Sequence, residues 1–205
     1  MSHLSDLVAT GPRVALAIPT EKAQDIIYIV GVGMMEWVDV VGTGAFSGYR
    51  CLEVGRPEFG STASPRGYEL DMTGGLAPKA AYASLWAWAQ QNGHTVASAA
   101  WTAKPFKFAD VDATYFRLPD LRDVFPSFNG TDADTGLAVA IGTYKADTTK
   151  RHNHGTGYSI VTLAGYGANN GGTFASSAWP GTVTTAEGSA ETAPKHTAFA
   201  PRIHI

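Results

Sequence analysis

A single cysteine, Cys51, in 205 residues excludes any disulfide within the chain and any cysteine-rich zinc module. Charge is scarce too: Asp, Glu, Lys and Arg make up 16% of the residues, against ~25% in an ordinary soluble domain. The formal net charge is −3, which leaves no basic footprint for nucleic acid or an anionic bilayer. The most apolar run, 26–35, has ten residues and two glycines, well short of the ~20 needed to span a membrane. The first residues, Met1-Ser2-His3-Leu4-Ser5-Asp6, lack the basic and apolar regions of a signal peptide. Synthesis in the cytoplasm, no nucleic-acid partner and no membrane insertion are therefore expected.

What remains is a folding sequence. Apolar residues reach 44%, more than a disordered chain carries. Glycine (23) and proline (11) are abundant, favouring turns and strands over long helices. The charge deficit is concentrated: 155–186 is a stretch of 32 residues without Asp, Glu, Lys or Arg. It contains Tyr158, Tyr166, Phe174 and Trp179, with Asn169 and Asn170 between them. A monomeric surface of that length normally carries several charges. A flexible loop is one reading; an ordered polar surface or a subunit interface suits the aromatic density better.

Short β-branched runs at 14–18 and 25–30 end at Pro19 and Gly31, and 36–41 ends at Gly42-Thr43-Gly44. The segment 55–66, rich in Gly, Pro, Ser and Thr, reads as a boundary loop. One helix is expected, opening near Pro78 and stopping at Asn92-Gly93. Tyr82, Leu85, Trp86 and Ala89 fall on one of its faces, and Trp88 falls off it. The fold class is thus mostly β with one α-helix.

Catalytic motifs are missing. There is no Gly-x-Ser-x-Gly elbow, P-loop or His-Glu-x-x-His. Cys51 without a local signature reads as a small buried apolar residue. Asp132 and Asp134 resemble half a calcium loop but lack its later acidic ligand, so a solvated turn is expected. The lone His94, His196 and His204 read as surface or satisfied histidines.

His152-Asn153-His154 has sharper content. In an extended strand, residues two apart share a side, so both imidazoles would face one way. Two histidines cannot fill a coordination sphere, and an exposed pair is the plain alternative. Were three chains to meet on an axis, six imidazoles would converge, an octahedral set that fits iron better than zinc.

Phe116-Arg117-Leu118-Pro119-Asp120-Leu121-Arg122-Asp123-Val124-Phe125 is similar to the F-x-L-P-D-L-R-x-x-F signature of the phage tail-collar and tail-fibre tip family. Leu70-Asp71-Met72-Thr73-Gly74-Gly75, followed by Tyr82-Ala83-Ser84-Leu85-Trp86, resembles its opening. Gly142-Thr143-Tyr144-Lys145-Ala146-Asp147 leads into His152-x-His154, and Glu191-Thr192-Ala193-Pro194-Lys195-His196-Thr197-Ala198-Phe199-Ala200-Pro201 resembles the family's ending. Ala193 replaces the usual Arg, His196 the usual Asn, and Lys145 a frequent Gln. The likeness covers roughly 55–205, with a less specific match at 42–50.

The resemblance implies an intertwined, parallel homotrimeric fibre tip with a collar-like domain and an extended C-terminal end. Residues 1–54 would end the shaft, 55–147 form the collar-like domain and 148–205 the metal-binding recognition tip. It implies attachment to a bacterial surface glycan, foremost lipopolysaccharide, with no catalytic residues. His152 and His154 would hold a transition metal on the three-fold axis, iron first, with zinc or nickel behind. Tyr158, Tyr166, Asn169, Asn170, Phe174 and Trp179 would contact receptor or pack the trimer. A fibre-assembly chaperone is an expected partner. The location would be the virion's distal tail fibre or an extracellular phage-tail-like particle, after synthesis in the host cytoplasm. The alternatives are a tailspike-like enzyme cleaving polysaccharide, with Asp110, Asp112, Asp132 or Asp134 as its acids, or a purely structural collar. Asp120 and Arg122 are expected to pair and fix a loop.

Overall fold

A computed structural model describes residues 11–131, 133, 136–146 and 197–205. The chain divides into two compact units, Met1–Lys145 with Ala198–Ile205, and Ala146–Thr197. Every described element belongs to the first. The described chain is mostly β with a single α-helix, as the composition leads one to expect.

Four strands form the first sheet: β1 (Arg13–Ala15), β2 (Ile26–Ile29), β3 (Gly33–Val40) and β4 (Phe46–Cys51), side by side in that order. β1 runs parallel to β2; the remainder is an antiparallel meander. Burial alternates along β2, sending Ile27 and Ile29 inward to pack with Met35 and Tyr49. That is the period-two signature of a strand. Tyr49 also fixes the β1–β2 loop, its hydroxyl accepting from the Ala23 and Gln24 amides and donating to the Gln24 carbonyl. The outer face stays apolar, with Val14, Ile26, Tyr28 and Val30 exposed. β1 is shorter than the run 14–18 predicts, because β2 turns away at Gly31 (φ 82°) and leaves 16–18 without a ladder.

β5 (Pro57–Gly60), β6 (Glu69–Asp71) and the last strand, β13 (Ala200–His204), form an antiparallel sheet with β13 in the middle. The 55–66 region, expected as a loop, therefore contains a strand whose partner lies at the far end of the chain. Local composition could not reveal that partner.

β7 (Leu76–Pro78), β8 (Thr95–Ala97), β9 (Phe108–Asp110) and β10 (Tyr115–Arg117) make a third sheet in the order β7-β10-β9-β8. The helix, α1 (Ala83–Gln91), packs against it. Helix and stop are where the sequence predicts, with Gly93 left-handed at φ 66°. The start is not. Pro78 ends β7 rather than opening the helix; β7 is an edge strand, where a residue without an N–H is tolerated. The predicted face is buried through Leu85, Trp86 and Ala89. Trp88 meets a second surface, stacking on His94 at 5.3 Å and meeting Phe106 edge-on at 6.5 Å. Its indole lies so close to Gly55 (φ 82°) that a Cβ there would collide with the ring.

The core of this unit joins Met72, Leu85, Trp86, Phe108, Phe116, Leu118 and Ile203. β11 (Gly130–Thr131) pairs antiparallel with β12 (Ala138–Val139). Asp132 and Asp134, which resemble half a calcium loop in sequence, lie outside the described residues.

Candidate functional site

The metal candidates His152 and His154 lie outside the described residues, as do Tyr158, Tyr166, Asn169, Asn170, Phe174 and Trp179. The described residues offer two other groupings of chemical interest, and one motif whose role is structural.

That motif is the Phe116–Phe125 signature. Phe116 and Leu118 are core residues, and Pro119 is among the most deeply buried side chains. Asp120 accepts from Arg122 Nε at 2.9 Å and Nη2 at 2.7 Å, a two-pronged pair that also takes the Arg122 amide. The Arg122 hydrogen bond, foremost, holds the Asp120 carboxyl below the usual carboxylate range. The pairing expected from sequence is present, with Asp120 largely buried and Arg122 mostly exposed. Lys104 reinforces the loop, donating its amide to the Asp120 carbonyl and its ammonium to that of Arg122.

The first grouping surrounds His204, near the end of β13. Glu53, Glu58 and His204 place their donor atoms within 4.8 Å of one another, a possible metal-binding group. One imidazole nitrogen and two carboxylates suit a borderline divalent cation. Both carboxylates already have a cation: Arg56 pairs with Glu53, and with Glu58 at 3.7 Å. A metal would have to displace that guanidinium. His204 is buried, stacks on Tyr68 at 5.0 Å, and lies between Glu53, 3.5 Å from Nε2, and Cys51, 3.5 Å from Nδ1. Thiol, imidazole and carboxylate in sequence invite comparison with a nucleophilic triad. The thiol is unsuited to that role, because it is buried and burial pushes its pKa up, away from the thiolate. Cys51 is the small buried residue the sequence leads one to expect. His204, expected to be ordinary, carries more contacts than its sequence context discloses.

His94 departs from expectation in the other direction. Among the described residues its buried Nδ1 has no hydrogen-bond partner; the ring lies against those of Trp88 and Phe106. Burial, with a smaller contribution from Lys107, lowers its pKa.

The second grouping lines an open cleft of about 680 Å³ between α1 and one end of the third sheet. Lys79, Trp86, Gln90, Thr95, Asp110 and Asp112 contribute to its walls. Two of these, Asp110 and Asp112, are among the acids that the polysaccharide-cleaving alternative requires. A glycosidase needs one carboxylic acid with a raised pKa. Asp112 is displaced the opposite way, since its Oδ1 accepts the amides of Tyr115 and Thr114. Asp110 is tied to Lys79 at 2.7 Å. Nothing in the sequence marks Lys79, Gln90 or Thr95; only the Trp86–Gln90 spacing, one helical turn, was readable in advance.

Compared with family models, curated proteins and solved structures, the chain matches none.

Proposed function

We propose that this chain is the distal, receptor-binding part of a phage tail fibre or of a phage-tail-like bacteriocin fibre. It acts as a parallel homotrimer and attaches to a bacterial surface glycan, foremost lipopolysaccharide, without catalysis. The observation that carries this reading is the ordered set of family-like motifs between Leu70 and Pro201.

Their packing supports it. Trp86 of the Tyr82–Trp86 motif stacks on Phe116 of the F-x-L-P-D-L-R motif at 5.1 Å. Gly74 donates to the Pro119 carbonyl at 3.0 Å, and Met72 to the Pro201 carbonyl at 2.7 Å. Phe106 donates to Gly142 at 3.0 Å. The described parts of these stretches, up to Lys145 and from Ala198, share one folded unit. The apolar outer face of the first sheet favours assembly as well, since large exposed apolar patches mark interaction surfaces.

In this reading His152 and His154 bind a transition ion on the three-fold axis, iron first. The uncharged 155–186 stretch forms the end that meets the glycan, through Tyr158, Tyr166, Asn169, Asn170, Phe174 and Trp179. The particle is a virion or its headless counterpart, assembled with a fibre chaperone. Light scattering tests the proposal at its base: a mass near three chains is expected, and a stable monomer would overturn it. A reducing-end assay on purified lipopolysaccharide separates binding from cleavage, with no new ends expected.

A further inference from the structure

The cleft beside α1 is pre-formed. Lys79 closes one side, its ammonium donating to Asp110 Oδ1 at 2.7 Å and to the Asp112 carbonyl at 2.6 Å. The same nitrogen lies 5.0 Å from the centre of the Trp86 ring. Asp112 fixes its own loop by accepting two backbone amides at 2.7 Å each. β8 is held in register on β9, Ala97 opposite Asp110. Within this frame three polar groups have no hydrogen-bond partner among the described residues: the Gln90 amide, the Thr95 hydroxyl and the second Asp110 oxygen. Gln90 and Thr95 are half-buried. Half-buried polar groups left unpaired by the protein are satisfied by water or by a ligand.

Their chemistry narrows the ligand. An anion would meet two carboxylates and a single ammonium already engaged with both their segments. A cation would compete with Lys79 for Asp110. The remaining groups are an acceptor-only carboxylate oxygen and two groups that both donate and accept. They match adjacent hydroxyls, and Trp86 and Val96 add apolar wall beside them. The volume falls in the ~300–1,000 Å³ range of small-molecule sites.

We propose that this cleft is a binding subsite for a neutral, hydroxyl-rich sugar unit, oriented by Gln90, Thr95 and Asp110. Its lining residues all belong to the first unit. The fibre reading supplies only the source of such a sugar, a bacterial surface polysaccharide.

The test is an NMR titration of the full ¹⁵N-labelled chain with neutral hexoses, N-acetylhexosamines and, separately, inorganic phosphate. A neutral sugar is expected to shift the Gln90 side-chain amide and the Trp86 indole N–H, and phosphate is not. Gln90→Ala and Thr95→Val, at positions outside the core, are expected to keep the thermal midpoint and weaken the sugar about three- to tenfold each. The proposal is overturned if no sugar moves these resonances, if phosphate does, or if both variants bind as the parent does. A monomer by light scattering would remove the fibre reading and leave the cleft intact; a silent titration would do the reverse.

Discussion

Arg202 and Asp71, 131 residues apart in sequence, are joined by a 3.0 Å hydrogen bond from the guanidinium Nε to Oδ1. The same buried guanidinium donates to the hydroxyl and carbonyl of Thr62 and to Glu69 at 3.3 Å. Gly60 makes room for it, since a Cβ there would press on the Arg202 side chain. Through this one residue β13 binds both neighbours, so the chain leaves the first unit after Lys145 and is locked back into it at the end.

Arg202→Met keeps much of the volume and removes every donor. Glu69, whose carboxyl is held below its usual range by the Arg66 amide first and by Arg202 in part, would lose that partner while buried. Breaking a buried pair costs about 3–5 kcal/mol. Urea unfolding should show a loss of that size, and a change below ~1 kcal/mol would refute the role assigned here.

His94 predicts acid sensitivity with a definite sign. Its folded-state pKa is lowered, so the folded protein binds fewer protons than the unfolded chain. Its contribution is fully present above the ordinary histidine value of ~6.5. It declines as pH falls from there through the lowered value. The urea midpoint should drop across that window in the parent chain. His94→Phe, which suits the aromatic surroundings, should flatten the drop.

Gly55→Ala and Gly31→Ala separate two costs of a glycine. Both positions have φ of 82°. Gly31 has open space around it, whereas a Cβ at Gly55 strikes Trp88. Gly31→Ala should lose about 1–2 kcal/mol to backbone strain alone. Gly55→Ala should lose more, by roughly 1–3 kcal/mol of overpacking. Equal losses in thermal or urea unfolding would contradict the collision.

Metal stoichiometry discriminates between the two histidine groups. One ion per three chains, lost when His152 and His154 become Ala, is the expected result. One ion per chain, lost on His204→Ala, would place it instead with Glu53 and Glu58 beside Arg56.

Cys51 should resist a thiol reagent in the native protein at neutral pH, because the residue is buried and its thiol is kept protonated. Reaction should become complete once urea opens the fold. Rapid native labelling would show the thiol to be accessible.

Local signals did much of this in advance. The helix and its left-handed stop were legible because Leu85, Trp86 and Ala89 repeat at helical spacing and Gly93 tolerates positive φ. β2 was legible because β-branched residues alternate inward and outward. The Asp120–Arg122 pair was legible because two residues suffice to close so short a loop. The candidate sites were less accessible: Trp86 and Gln90 are a turn apart, but Thr95 and Asp110 reach them only through sheet pairing.

By itself the sequence determined a mostly β chain with one amphipathic helix and an uncharged stretch at 155–186. Tertiary structure alone decided that Pro57–Gly60 is a strand, that Pro78 belongs to a sheet edge, and that Arg202 and His204 are buried. The reason is physical. Helical and strand periods are written in neighbouring residues, whereas burial of Arg202 depends on partners 131 to 140 positions away. No local pattern encodes a contact whose other half lies at the opposite end of the chain.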